Sequence, residues 1–352
     1  MSHDRLLIYG AYGYTGELIA RQAVADGRSP VLSGRNAAKV AALAQELGLD
    51  ARPFDLGGDT IAGQLADIDV VLHCAGPFVE TAPAMVEACI ATGTHYLDIT
   101  GEIDVFEHVF ARDADARETS AVLCPGAGFD VVPTDCLAAA LAAALPDATT
   151  LALGFDSRSG LSPGTAKTSV DGLAGGGRVR RNGRIVKVPL AADVREIDFG
   201  NGLKPAMTIP WGDVATAYYS TRIPNVAVYM PMSSARIRQV KWLNWVRPVF
   251  ALSPVKNFLK ARAGQVRGPD TATRARHGTY VWGEVRNAAG DLRVGRVHVA
   301  NGYDVTIHAS LALAQRLLTD APAGGAYTPS KLAGAAFVET LPGSGTIQIT
   351  DA

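Results

Sequence analysis

The chain predicts an α/β fold: an N-terminal doubly wound parallel sheet, followed by a second α+β domain with a mostly antiparallel sheet. Three observations carry this prediction. Short apolar runs alternate with helix-period segments through the first part of the chain. The first of these runs ends in a Gly-rich turn that opens a helix. Beyond Leu145 the pattern changes to short β-like runs separated by turn residues.

Taken in order, Leu6-Leu7-Ile8-Tyr9 is the first strand, and Glu17 to Val24 has apolar residues at helical spacing. Asp26-Gly27 closes that helix, and Pro30 to Gly34 is the second strand. Asn36 caps a helix from Ala37 to Leu47 that Gly48 ends. Ala51 to Asp55 and Asp69 to Ala75 are strands three and four. A helix from Pro83 to Thr92 stops at Gly93, and His95 to Ile99 is the next strand. Asp104 to Ser120 suits one further helix, and Ala121 to Cys124 another strand. Asp135 reads as the N-cap of the Ala-rich helix that follows. In the second part, Thr149–Asp156, Val226–Tyr229 and Tyr280–Trp282 are strand-like, with a turn at Asn287–Asp291. Asp304 to Leu318 returns to a long apolar helix, and a short one begins near Pro329. The boundaries expected are 1–130 for the first domain and 131–324 for the second, with 325–352 packing back on the first.

Composition narrows the function classes. At 352 residues the chain suits about two domains. Its formal net charge of −1 gives no overall field that would draw nucleic acid. Cys74, Cys89, Cys124 and Cys136 are scattered, without a Cys-x-x-Cys pair or a His at zinc-finger spacing. Free thiols and no metal site are expected. No apolar leader opens the chain, and no window reaches the about 18 apolar residues of a spanning helix. A cytoplasmic location is the expectation.

Gly10-Ala11-Tyr12-Gly13-Tyr14-Thr15-Gly16 has Gly-x-x-Gly-x-x-Gly spacing directly after a strand and before a helix. Such glycines let the backbone approach a pyrophosphate, whose charge rests on helix N-terminal amides. The first domain is therefore read as Rossmann-like. An NAD-binding chain places Asp or Glu about 20 residues further on to hold the ribose 2′-hydroxyl. Here Ser33-Gly34-Arg35-Asn36 stands in that place, with no acid. A carboxylate would repel a 2′-phosphate, whereas Arg35 can pair with it, and Ser33, Asn36 and Lys39 can add donors. NADP is the cofactor expected. Asp55 either meets the adenine edge or caps the turn before Gly57-Gly58. Cys74-Ala75-Gly76-Pro77-Phe78 ends strand four, where the nicotinamide half would pass.

Further motifs are Tyr96-Leu97-Asp98-Ile99-Thr100-Gly101-Glu102, Pro125 through Asp135, Gly160 through Thr165, Gly268-Pro269 and Val281-Trp282-Gly283-Glu284. With these the chain resembles the saccharopine dehydrogenase-like family, and within it the trans-acting enoyl reductase branch. The resemblance runs over nearly the whole chain. It implies NADP-dependent redox chemistry on a C=C or C=N bond and, for this branch, a lipid-like substrate.

Reduction by hydride also requires a proton, and Tyr96 and Asp98, on one face of a strand end, are candidate donors with Glu102. The alternative is that Asp98 and Glu102 satisfy backbone amides and hold the loop. Gly128-Phe129-Asp130 is the expected elbow beside the nicotinamide, facing Gly76-Pro77-Phe78, and Asp130 joins the catalytic candidates. Thr165, Lys167 and Ser169 lie in a Gly/Ser-rich stretch that either covers the site or is a surface loop. Arg158 and Arg178-Val179-Arg180-Arg181 would serve as an arginine clamp if the substrate were an imine made from an amino acid.

From Arg236 to Arg276 there are ten Lys/Arg against one acid, Asp270, interleaved with Trp242, Trp245, Phe250, Leu252, Phe258 and Leu259. This composition suits peripheral contact with the inner face of a membrane. The other readings are a solvated basic face and a homodimer contact. No nucleic-acid recognition module accompanies it. The non-enzymatic alternative is an NADP-binding, membrane-associated scaffold or sensor.

Overall fold

The computed structural model describes residues 5–58, 60–157, 175–250, 252, 254–255, 258, 262 and 278–351. The chain divides into two compact units, Met1–Phe129 with Tyr303–Ala333, and Asp130–Gly302 with Gly334–Ala352.

Seven strands form the sheet of the first unit: β1 (Leu6–Tyr9), β2 (Val31–Gly34), β3 (Ala51–Pro53), β4 (Val70–His73), β5 (His95–Asp98), β6 (Val122–Cys124) and β15 (Gly325–Ala326). Their order is β15-β6-β5-β4-β1-β2-β3, and every pair is parallel. Every residue of β1, β4 and β6 is buried, the signature of a parallel sheet covered on both faces. The strand order reverses between β1 and β4. In such sheets the crevice beyond the carboxyl ends at that point receives ligands. The loops after β1, β2, β4, β5 and β6 therefore all emerge at one edge.

Helix α1 (Tyr14–Ala25) follows β1, and α2 (Ala37–Leu47) keeps the bounds read from the sequence. Asn36 Oδ1 accepts from Lys39 N at 3.0 Å, and Gly48 ends α2 in the left-handed region. After α3 (Ile61–Leu65), α4 (Phe78–Thr92) begins five residues earlier than expected and carries Pro83 inside it. The stretch read as one helix is two, α5 (Ile103–Ala111) and α6 (Asp113–Glu118), parted at Arg112.

The C-terminal part divides differently from the expected 131–324 and 325–352. Gly325 N donates to Ala121 O at 2.8 Å and Tyr327 N to Leu123 O at 2.8 Å, so this segment adds an edge to β6. The long helix Gly302–Thr319 lies almost wholly in the first unit, where Arg28 Nη1 donates to its Leu311 carbonyl at 2.9 Å. Residues 334–352 belong to the second unit instead.

Among the described residues that unit is built on a nine-stranded sheet. Its main path runs β10 (Val194–Asp198), β11 (Leu203–Ile209), β12 (Asn225–Pro231), β7 (Ala148–Asp156), β13 (Thr279–Asn287), β14 (Leu292–Val299) and β16 (Gln348–Asp351). β8 (Gly177–Arg181) and β9 (Arg184–Val188) lie off the path, and among the described pairings only β7–β12 is parallel. The β13–β14 hairpin turns where the sequence placed it, with Asp291 N donating to Asn287 Oδ1 at 2.8 Å. Helix α7 (Val132–Ala144) has Val131, not Asp135, at its N-cap. Asp135 sits inside the first turn, wholly buried, and accepts from the hydroxyl of Ser220 on α8 (Asp213–Thr221).

An aromatic cluster of Phe199, Tyr229 and Trp282 packs against this sheet. Gly154 makes room for it: a Cβ there would lie 2.7 Å from Tyr229 O and 3.1 Å from Phe199 Cε1. Since the nearer atom is backbone, Gly154→Ala is expected to cost about 1–3 kcal/mol of stability. Urea denaturation measures this, and an unchanged midpoint would contradict the packing described.

Candidate functional site

The turn after β1 is fastened from two sides. Gly10 N and Ala11 N both donate to Ser33 O, at 2.9 and 3.1 Å, which ties the turn to β2. Gly16 approaches so closely that a Cβ on it would lie 2.4 Å from Gly10 O. Gly10 itself has φ +81, and a Cβ there would lie 2.8 Å from the Ala75 Cβ. The first intrahelical bond of α1 runs from Glu17 N to Gly13 O at 2.8 Å. The N-cap Gly13 supplies no side-chain partner, and the first-turn amides of a helix are the donors that such a start offers to an anion.

At the end of β2, Arg35 is exposed, and Lys39 Nζ lies 5.7 Å from the Tyr12 ring centroid. These two cations flank the start of α2, and no carboxylate occurs in Ser33-Gly34-Arg35-Asn36. The Ser33 side chain faces the other way: it is buried and donates to Arg52 O at 2.6 Å. The Asn36 carbonyl is engaged as the α2 cap. Asp55 Oδ1 accepts from Gly57 N at 2.8 Å and so holds the turn after β3.

The β4 end is fixed by side chains from elsewhere. Cys74 N donates to Tyr9 O at 2.8 Å. The Thr81 hydroxyl faces the carbonyls of Ala75 and Pro77 at 2.7 and 3.1 Å, and His73 Nε2 lies 2.9 Å from it. With the Thr81 proton directed at those carbonyls, His73 donates from Nε2 and is neutral. Burial brings its pKa down to about 3, and the Phe78 ring stands edge-on to it at 5.4 Å. Glu102 reaches back across the edge, its two oxygens accepting from Phe78 N and Val79 N at 2.9 Å each. This carboxylate caps α4 from 24 residues away and explains the early start of that helix.

Tyr96 and Asp98 are both wholly buried. Tyr96 Oη donates to Asp98 Oδ2 at 2.7 Å, while Asp98 Oδ1 accepts from Thr100 N at 2.9 Å and Gly126 N at 2.8 Å. Burial raises the Asp98 pKa to about 6, against the three hydrogen bonds that favour the ionised form. Burial also pushes the Tyr96 phenol well up. The carboxylate thus joins the β5 and β6 loops. Beyond β6, Phe129 N donates to Thr306 Oγ1 at 3.0 Å, and Tyr14 packs edge-on against Tyr303 at 5.2 Å. Thr81, Thr306 and Tyr303 went unnoticed in the sequence, and no local motif marks them. Asp130 opens the second unit, where its carbonyl accepts from Trp211 Nε1 at 2.7 Å. Thr165, Lys167, Ser169 and Arg158 lie outside the described residues. Among the described residues no cluster of three or more His, Cys, Asp or Glu could hold a metal ion.

The model of the saccharopine dehydrogenase NADP-binding domain matches residues 6–123, from β1 into β6. This segment is a saccharopine dehydrogenase-type NADP-binding domain. The chain is 31% identical over 151 residues to an Arabidopsis thaliana protein named a saccharopine dehydrogenase-like oxidoreductase. It is 29% identical over 144 residues to a Mycobacterium tuberculosis protein named trans-acting enoyl reductase. Each match covers 37% of this chain and 33% of the relative. The L-Glu-forming saccharopine dehydrogenase of Saccharomyces cerevisiae, 13% identical, covers 99% of both chains with a TM-score of 0.66, and so shares the fold.

Within the NADP-binding domain the Asp98 tie makes a pH-dependent prediction. A carboxyl whose folded pKa is raised from 3.8 to about 6 contributes stability fully present below about pH 4 and lost as pH rises through about 6. Asp98→Asn keeps the acceptor for Thr100 and Gly126 but does not titrate. Denaturation at stepped pH is expected to show the wild type losing stability relative to this variant across that window. A gain would contradict the assignment.

Proposed function

We propose that this chain is an NADPH-dependent reductase of a C=C or C=N bond in a hydrophobic, lipid-like substrate. The observation that carries the cofactor half is the β2 corner: exposed Arg35 with Lys39 nearby, and no carboxylate, beside a Gly-rich turn that presents helix amides. When bound, the reduced nicotinamide supplies a hydride to one atom of the double bond while the other atom takes a proton, leaving oxidised NADP and a saturated bond.

The residues of this chain divide that work. First-turn amides of α1 hold the pyrophosphate, and Arg35 and Lys39 hold the 2′-phosphate. The loops Cys74–Phe78 and Gly126–Phe129 form a rigid edge for the nicotinamide half. Tyr96 and Asp98 act here as positioning residues, since every described bond they make fastens loop backbone or each other. An enoyl C=C bond, rather than an amino-acid-derived C=N bond, is supported by the relatives named trans-acting enoyl reductase. It is also supported by Arg180, which is 4% exposed and donates to the carbonyls of Val214 and Gly183 at 2.8 Å each. A guanidinium so engaged is withdrawn from any clamp on an amino-acid-derived imine.

Consumption of NADPH with a long-chain enoyl thioester, and with an imine of an amino acid and a 2-oxo acid, tests the substrate class. Turnover of the thioester alone is expected; turnover of the imine alone would overturn it. Arg35→Ala is expected to weaken NADPH binding roughly ten- to hundredfold while leaving NADH binding unchanged. Equal losses for both dinucleotides would contradict the role given to Arg35.

A further inference from the structure

Helix α9 (Ser234–Phe250) of the second unit carries a face that neither the fold nor the cofactor uses. Arg238, Lys241, Trp242 and Trp245 fall at i, i+3, i+4 and i+7, so they form one stripe along the helix. All four are exposed, Trp242 at 61% and Trp245 at 85%. On the flank of this stripe Ile237 is buried. There the Asn244 amide also pairs with the Leu190 backbone, accepting from its N at 2.8 Å and donating to its O at 3.0 Å. These contacts fix the rotation of the helix and keep both indoles turned outward.

The charge along this stretch of sequence has one sign. No Asp or Glu occurs from Val214 to Pro269, while Arg236, Arg238, Lys241 and Arg247 lie on α9 itself. Leu252 and Phe258 follow at 56% and 61% exposure, with the Arg262 guanidinium 5.6 Å from the Phe258 centroid.

We propose that this face docks on the surface of an anionic lipid bilayer. Indole rings settle at the headgroup level, apolar body inward and N–H toward water, and cations beside them are drawn to anionic headgroups. Charge also argues against a second copy of the chain. A symmetric contact would set Arg238 and Lys241 against their own duplicates, with no acid in the patch to compensate. No helix among the described residues is long and apolar enough to cross a membrane, so α9 would lie in the interface plane. The proposal stands apart from the cofactor reading and holds or fails without it.

Cosedimentation of the full chain with vesicles of phosphatidylcholine plus phosphatidylglycerol, and of phosphatidylcholine alone, tests it. Binding to the anionic vesicles, a blue-shifted tryptophan emission and release by salt are expected. Arg238→Gln with Lys241→Gln is expected to lower partitioning roughly 30-fold. Trp242→Ala with Trp245→Ala is expected to lower it roughly tenfold or more and to remove the blue shift. Circular dichroism and NADPH titration verify that both variants fold. Absence of vesicle binding by the wild type, or equal binding to both compositions, overturns the proposal. So does a solution dimer that the tryptophan variant dissociates without any change at vesicles.

Discussion

Gly16 is packed against the carbonyl of Gly10 at a distance that admits no side chain, with 2.4 Å left for a Cβ. That contact sets the start of α1 directly on the end of β1. Because Ser33 O takes the amides of Gly10 and Ala11, the turn cannot swing away from β2. The next amides are those of the first turn of α1. An anion meeting them gains hydrogen bonds and the favourable end of the helix dipole together. Arg35 follows directly on the end of the strand that Ser33 ties to this turn.

The remaining loops of this edge are fastened by side chains acting on backbone. Glu102 grips the first two amides of α4, Asp98 joins the loops after β5 and β6, and Thr81 braces the Ala75–Pro77 turn. A buried carboxylate is costly unless its oxygens are hydrogen-bonded, and Asp98 has three donors. Such an edge is organised before a ligand arrives, which suits a site where a nicotinamide ring must be placed accurately.

Much of this was legible in the sequence, and the failures have physical causes. α2 was readable at both ends because Asn36 and Gly48 are local signals. The start of α4 was not, because its cap is supplied by Glu102 from the far side of β5, and Pro83 resembled a beginning. β15 and the helix Gly302–Thr319 belong to the first unit through pairing with β6 and a contact to Arg28, partners that lie far away in sequence. The glycine turn and the acid-free β2 corner were visible residue by residue. What local spacing could not tell was which polar side chains point inward: Ser33 bonds to Arg52 O, and Tyr96 bonds to Asp98.

The Gly10–Gly16 contact shapes the turn proposed to receive the dinucleotide. Calorimetric titration of NADPH into the wild type and Gly16→Ala tests this most directly. A Cβ at that position must push α1 off β1, and affinity is expected to fall by roughly 30-fold or more. The second unit, which the contact does not touch, is expected to keep its denaturation profile. Wild-type affinity in Gly16→Ala would contradict the claim.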